Sequence, residues 1–182
     1  VNGSEKSIVL TSSSISIEEI VISKKNNAIS QIMKLDLQNS PVNSSQEILR
    51  KVPGLFIGQH AGGGKAEQIF LRGFDIDHGT DIALSVDGMP VNMVSHAHGQ
   101  GYADLHFVIP ETLDKIDFGK GSYYANKGDF ATAGYVAFKT KEKIDNNSIS
   151  LEVGKFNTIR TLGMFNLLPN NNKQSAFIAS EY

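Results

Sequence analysis

The sequence predicts an α+β chain, in which a small mixed sheet with short helices is followed by antiparallel strands of the kind that open a transmembrane β-barrel. Three observations carry this. Gln68-Ile-Phe-Leu-Arg-Gly-Phe74 and Leu84-Ser-Val-Asp-Gly-Met-Pro-Val91 each read as a short strand running into a forced turn, with Gly73 and Asp87-Gly88 supplying backbone conformations that β-branched neighbours cannot take. Short helix signals flank them: Ser44-Ser-Gln-Glu47 upstream and Ile109-Pro-Glu-Thr112 downstream. Ser148-Ile-Ser-Leu-Glu-Val-Gly154 then alternates strictly, with Ile149, Leu151 and Val153 on one face and Ser148, Ser150 and Glu152 on the other. A strand with lipid outside and water inside requires that alternation.

Residues 1–41 are rich in Ser, Asn, Lys and Gln and read as a flexible leader with one apolar run, Ile15 to Ile22. Ile20, Val21 and Ile22 have high β propensity, and an isolated strand of this kind gains stability by pairing with the edge of a partner sheet. An ordinary linker strand, or the last strand of a preceding domain, is the other reading. Ser44 and Glu47 form a capping box that starts a short helix; Ile48, Leu49 and Val52 give it an apolar stripe and Pro53-Gly54 stops it. Leu55 to Ile57 reads as a strand, and His60 to Lys65 as a glycine-rich exposed loop. A phosphate loop would need Ser or Thr after its lysine and a helix beyond; Lys65 is followed by Ala66-Glu67 and a strand, so nucleotide binding is set aside.

Pro110 suits the first position of a second short helix, with Glu111 and Asp114 near its positive end. Lys115 to Phe118 becomes a strand, residues 119–134 are dominated by small residues that let backbones pack closely, and Tyr135 to Thr140 is the next strand. Thr158 to Leu167 and Gln174 to Tyr182 are further barrel-strand candidates around the polar turn Pro169 to Lys173, with less regular alternation. Three strands cannot close a barrel, because an open edge in hydrocarbon leaves unpaired backbone groups, so the chain is expected to be a fragment.

Composition narrows the classes. With 182 residues, one core is expected, and a net charge of −2 with both signs interspersed offers no basic stripe for nucleic acid. The absence of cysteine excludes disulfides and thiolate metal sites. No apolar run is long enough for a spanning helix, which says nothing against barrel strands. Val1-Asn-Gly-Ser-Glu-Lys6 lacks the features of a signal peptide, and tryptophan, usual in barrel girdles, is absent.

Four of the five histidines fall in Asp75-Ile-Asp-His78 and Ser95 to His106. In an extended chain His96 and His98 project from one face, as two imidazole ligands would, and His78, His106, Asp104, Asp75 and Asp77 could complete a site for zinc, nickel or copper. The competing reading is that His and Asp in turn-rich loops hydrogen-bond the local backbone. Asp75, Asp77, Asp81 and Asp87 have no nucleophile or oxyanion arrangement beside them, and Asp87 is explained as a hairpin residue.

Leu49-Arg-Lys-Val-Pro-Gly54, the two strand-turn blocks, Lys120-Gly-Ser-Tyr-Tyr-Ala125 and Gly134-Tyr-Val-Ala-Phe-Lys-Thr140, in that order, resemble the plug domain of outer-membrane TonB-dependent receptors. One block departs from the usual pattern: Lys120-Gly121-Ser122 stands where the family has Arg-Gly-Pro. The resemblance implies a leader over 1–41, a plug over 42–143 and the first strands of an incomplete barrel over 144–182. It implies a gated importer and not an enzyme, in the outer membrane of a Gram-negative bacterium with the plug facing the periplasm. Its partners would be the TonB energy-coupling protein, the remainder of its own barrel and outer-membrane lipid. The TonB box would be Glu18, Glu19, Ile20, Val21, Ile22 and Ser23, and Arg72 would latch plug to barrel. Substrate contact falls to outward loops, at His60, Asn92, His96, His98, Gln100 and Tyr102. No resident cofactor is expected, and zinc, nickel or copper would enter as cargo. A soluble periplasmic binding or signalling module and a metal-dependent hydrolase are the alternatives; the first requires residues 144–182 to join the same core, the second a tightly held metal.

Overall fold

The structure is a computed structural model describing residues 40, 42, 44–59, 66–76, 81–97, 102–168 and 174–182. It opens with a 3-10 helix over Ser45–Lys51, capped by the Ser44 hydroxyl, which accepts from the Glu47 N–H. The Glu47 carboxylate accepts from Arg50. The tighter winding, in which residues three apart eclipse, aligns Ser45 with Ile48 and Gln46 with Leu49, and all four are buried.

Strands β1 (Leu55–Gly58), β2 (Gln68–Leu71) and β3 (Phe74–Ile76) form an antiparallel sheet in sequential order. Leu55, Ile57, Ile69 and Leu71 face the core. β2 and β3 join through Arg72 and Gly73 at φ 51 and 85, the left-handed pair that a two-residue hairpin demands.

A second sheet has the order β5-β4-β7-β6, comprising β4 (Ile82–Val86), β5 (Met89–Pro90), β6 (Leu113–Lys120) and β7 (Gly134–Thr140). β4 and β7 are parallel and the other pairs antiparallel, so the mixed sheet expected from the sequence is present. The Asp87-Gly88 hairpin has φ 50 and 84. Ile82, Leu84, Val86, Val136 and Phe138 share one core with the first sheet and the 3-10 helix. The second predicted helix shrinks to a 3-10 turn over Pro110–Thr112, and Asp114, expected near its positive end, lies in β6. β6 therefore starts two residues earlier than the sequence suggested, because Leu113 is needed in the core.

Strands β8 (Ser148–Val153), β9 (Ile159–Asn166) and β10 (Phe177–Glu181) form a separate antiparallel sheet with β9 central. Ile149, Leu151, Val153, Ile159, Phe165 and Ile178 stand exposed. On the opposite side Leu162 and Met164 pack with Ile144, Ile109 and Phe177 in a small second core. The irregular alternation of the later strands has its cause here: their inner face meets the preceding domain and not water alone. Residues 148–181 thus form a sheet of their own, whereas a one-core soluble module requires them to join the first. No helix among the described residues is long and apolar enough to cross a membrane.

Candidate functional site

Two groups of polar residues stand apart from the core. The first lies where the end of the β1–β2 connection meets the segment after β5. Asn92 acts there as an extra piece of strand: its Oδ1 accepts from Leu84 N–H at 2.7 Å and its Nδ2 donates to Ile82 O at 2.8 Å. The short β5 ends before it can satisfy that stretch of β4, and the side-chain amide continues the ladder.

Tyr102 pairs with Met93 through two backbone hydrogen bonds, and its hydroxyl accepts from Ala66 N–H at 2.6 Å. The exposed His96 ring stacks on it, with centroids 4.1 Å apart and planes 13° apart. Beside them Gln46, 0% exposed, accepts from Leu105 N–H at 3.1 Å and donates to Glu67 O at 3.4 Å. The Glu67 side chain is buried, with one oxygen 3.6 Å from His106 Nε2 and the other without a hydrogen-bond partner among the described residues. His106 Nδ1 lies 2.6 Å from Asp104 Oδ1, which also accepts the His106 backbone N–H at 2.8 Å. Asp104 thus closes its own turn, as the backbone-bonding reading anticipates.

Of the residues singled out in the sequence, the structure brings His96 and Tyr102 together, pairs His106 with Asp104 and sets Asn92 in the β4 edge. Arg72 is exposed in the β2–β3 turn. His60, His78, His98, Gln100 and the leader residues Glu18, Glu19, Ile20, Val21, Ile22 and Ser23 lie outside the described residues, as does Asp77. Among the described residues no group of three or more His, Cys, Asp or Glu side chains is arranged to hold a metal. Gln46 and Glu67, which bind the two loops together, carried no sequence signal beyond Gln46's place in the capping box.

The second group joins the third sheet to the domain before it. Arg160, in β9, has a side chain only 12% exposed and reaches Glu111 in the Pro110–Thr112 turn through Nη1–Oε1 and Nη2–Oε2, both 2.8 Å. It also meets Glu152 of β8 at 2.9 Å and Glu181 of β10. Burial pushes the Glu111 carboxyl up, but the hydrogen bonds and charge of Arg160 outweigh it and hold the group below its ordinary value. Lys141 donates to the Glu111 carbonyl at 2.6 Å and fixes the turn from the other side. Neither Arg160 nor Glu111 was picked out from the sequence as an interacting pair, because nothing local links positions 49 residues apart.

Comparison with known proteins places this geometry. A family model described as TonB-dependent Receptor Plug Domain matches residues 22–135. Two proteins named vitamin B12 transporter BtuB from Vibrio vulnificus are similar: one is 27% identical over 62% of this chain and 17% of its own length, the other 28% over 68% and 19%. Among solved structures, the ferric yersiniabactin uptake receptor FyuA of Yersinia pestis matches 72% of this chain and 20% of its own, with a TM-score of 0.51 and 21% identity. The ferric enterobactin receptor of Pseudomonas aeruginosa, solved with enterobactin, covers 81% of this chain and 23% of its own at a TM-score of 0.55 and 20% identity. The hemophore receptor HasR of Serratia marcescens, solved with its hemophore and heme, covers 81% and 23% at a TM-score of 0.56 and 15% identity. The chain spans less than a quarter of each of these proteins.

Proposed function

The chain belongs to the TonB-dependent receptor plug domain family, and from that premise we propose that it is the plug and opening wall strands of an outer-membrane transporter that imports a scarce metal chelate. Members of this family are transporters and receptors, not enzymes, and the plug contributes binding and gating instead of bond chemistry. A chelate as cargo is supported by relatives and structural neighbours named for vitamin B12, ferric yersiniabactin and ferric enterobactin, and by a hemophore receptor solved with heme. Free zinc, nickel or copper held by His78, His96, His98, His106 and Asp104 is the second form of cargo, favoured only by the histidine spacing.

The observation that carries the reading is the two-faced third sheet. Its outer face exposes Ile149, Leu151, Val153, Ile159, Phe165 and Ile178, and its inner face holds the plug through Arg160–Glu111 and through Leu162 and Met164. That division is what a barrel wall needs, with hydrocarbon on one side and a gate on the other. In this reading the loops containing His60, Asn92, His96, His98, Gln100 and Tyr102 meet the substrate, with the His96–Tyr102 stack as a flat contact. Arg72 faces the part of the barrel beyond this chain. Glu18 to Ser23 pair with TonB in the periplasm, toward which the plug faces, and barrel and lipid complete the set of partners.

The test is uptake of isotope-labelled corrinoid, ferric siderophore and heme by Gram-negative cells with and without the full receptor, each repeated in cells lacking TonB. Receptor-dependent and TonB-dependent accumulation of one chelate is expected. Recovery of the protein from the soluble periplasmic fraction, without chelate uptake, would refute the reading in favour of a soluble binding module.

A further inference from the structure

Glu67 closes the connection from β1 to β2, and its side chain is only 7% exposed. Burying a carboxylate is costly unless hydrogen bonds or a cation answer its oxygens. Glu67 Oε2 is buried without a hydrogen-bond partner among the described residues. His106 Nε2 stands 3.6 Å from Oε1, too far for a hydrogen bond. Gln46 already ties the two segments together, through Glu67 O and Leu105 N–H, so this spacing is built into the fold.

The His106 ring is oriented toward the same point. A carboxylate only accepts, so Asp104 Oδ1, 2.6 Å from Nδ1, places the proton of the neutral ring on Nδ1 and leaves the Nε2 lone pair toward Glu67. Asp104 is itself held by the His106 backbone N–H at 2.8 Å. A carboxylate on one ring nitrogen and a lone pair on the other is how a metal-binding imidazole is prepared. At bonds of about 2.0–2.1 Å, two ligands in tetrahedral positions stand about 3.4 Å apart, close to the 3.6 Å between Nε2 and Oε1. A direct ion pair would draw the two atoms within hydrogen-bond reach, whereas a cation between them would hold them at this distance.

We propose that Glu67 and His106 bind a divalent first-row cation of the zinc type, which ties the β1–β2 connection to the segment before Pro110. Two side chains supply three donor atoms, Oε1, Oε2 and Nε2, and water completes the shell on the side where His106 is 45% exposed. Asp104 is a positioning residue and not a ligand. The site is separate from the carriage of cargo: the cation stays with the plug whichever chelate is imported.

The experiment measures zinc bound by the full-length receptor in equilibrium dialysis, after stripping with chelator, for the wild type, Glu67→Gln, His106→Gln and Asp104→Asn. The wild type is expected to hold one zinc more than Glu67→Gln or His106→Gln. Asp104→Asn keeps an acceptor for the His106 N–H and is expected to weaken that zinc about 10-fold or more without speeding hydrogen exchange at His106. Zinc should also raise the unfolding temperature of the wild type further than that of Glu67→Gln, each read against the same protein in chelator, so that a basal change in stability drops out. Equal zinc content in the wild type and both ligand variants would overturn the site. Zinc kept by Glu67→Gln and lost from His96→Ala would also overturn it, and would assign the ion to the histidine set of the cargo reading.

Discussion

Glu111 of the plug and Arg160 of strand β9 face one another through two parallel hydrogen bonds of 2.8 Å, and Arg160 is the one cation in contact with three carboxylates in this cluster. The fork geometry of guanidinium and carboxylate makes the contact directional, so it sets the orientation of the third sheet against the plug as well as their separation. Strand register contributes: Glu152 is the direct cross-strand partner of Arg160, and Glu181 is supplied by the strand on the other side.

The two partners are expected to respond unequally to mutation. Arg160→Ala leaves Glu111, Glu152 and Glu181 without their shared cation, whereas Glu111→Gln leaves Arg160 two other carboxylates. Allowing for the exposure of the carboxylates, Arg160→Ala should destabilise plug docking by about 2–3 kcal/mol and Glu111→Gln by about 1 kcal/mol. Thermal unfolding of the receptor and protease sensitivity of the plug should show that order, and the double variant should cost less than the sum.

The same contact predicts an acid limit. Glu111 has a folded pKa held below its ordinary value of 4.5, so its contribution is complete above the unfolded value and is lost as pH falls through the folded one. Plug docking in the native receptor should weaken below about pH 4.5, and Glu111→Gln should flatten that part of the profile. A parallel fall in both proteins would assign the acid sensitivity to other carboxylates.

Gln46 offers a test of the loop-joining network. It is fully buried, and its amide serves Leu105 N–H and Glu67 O, which lie on two separate connections. Gln46→Leu keeps the volume but leaves Leu105 N–H buried without an acceptor, at a cost of about 1–3 kcal/mol. Hydrogen exchange at Leu105 should accelerate in the variant while the amides of β7 remain protected.

The elements that the sequence made legible were those fixed by local chemistry. The turns at Arg72-Gly73 and Asp87-Gly88 announced their hairpins because few residues accept left-handed backbone, and Ser148 to Val153 announced a two-faced strand by strict alternation. Leu162 and Met164 obscured the same signal in β9, since their partner is the plug and not water. The loop network was less legible. Tyr102 was singled out, yet its partner Ala66 lies 36 residues away, and Gln46 reaches Leu105 across 59. The bonds of the Asn92 amide to the β4 backbone were likewise not legible, since they are set by how early β5 ends.

Gly134 is where the plug sheet is least tolerant. It opens β7 at φ 152, and a Cβ there would lie 2.3 Å from the Gly119 carbonyl oxygen of β6, a backbone atom that cannot move without breaking the ladder. One register step along, Tyr135 packs edge-on to Tyr124 and donates to Asp117 at 3.2 Å; burial, followed by the nearby Asp117 charge, pushes its hydroxyl up to about 12. Gly134→Ala must separate β6 from β7 at this point and should destabilise the plug by about 2 kcal/mol or more, combining steric and backbone strain. Separation would also expose Tyr135, so its phenol should titrate closer to the ordinary value near 10 in the variant. Ultraviolet titration of both proteins reads this directly. An unchanged Tyr135 titration, together with unchanged stability, would show that β6 and β7 do not approach as closely as the glycine implies.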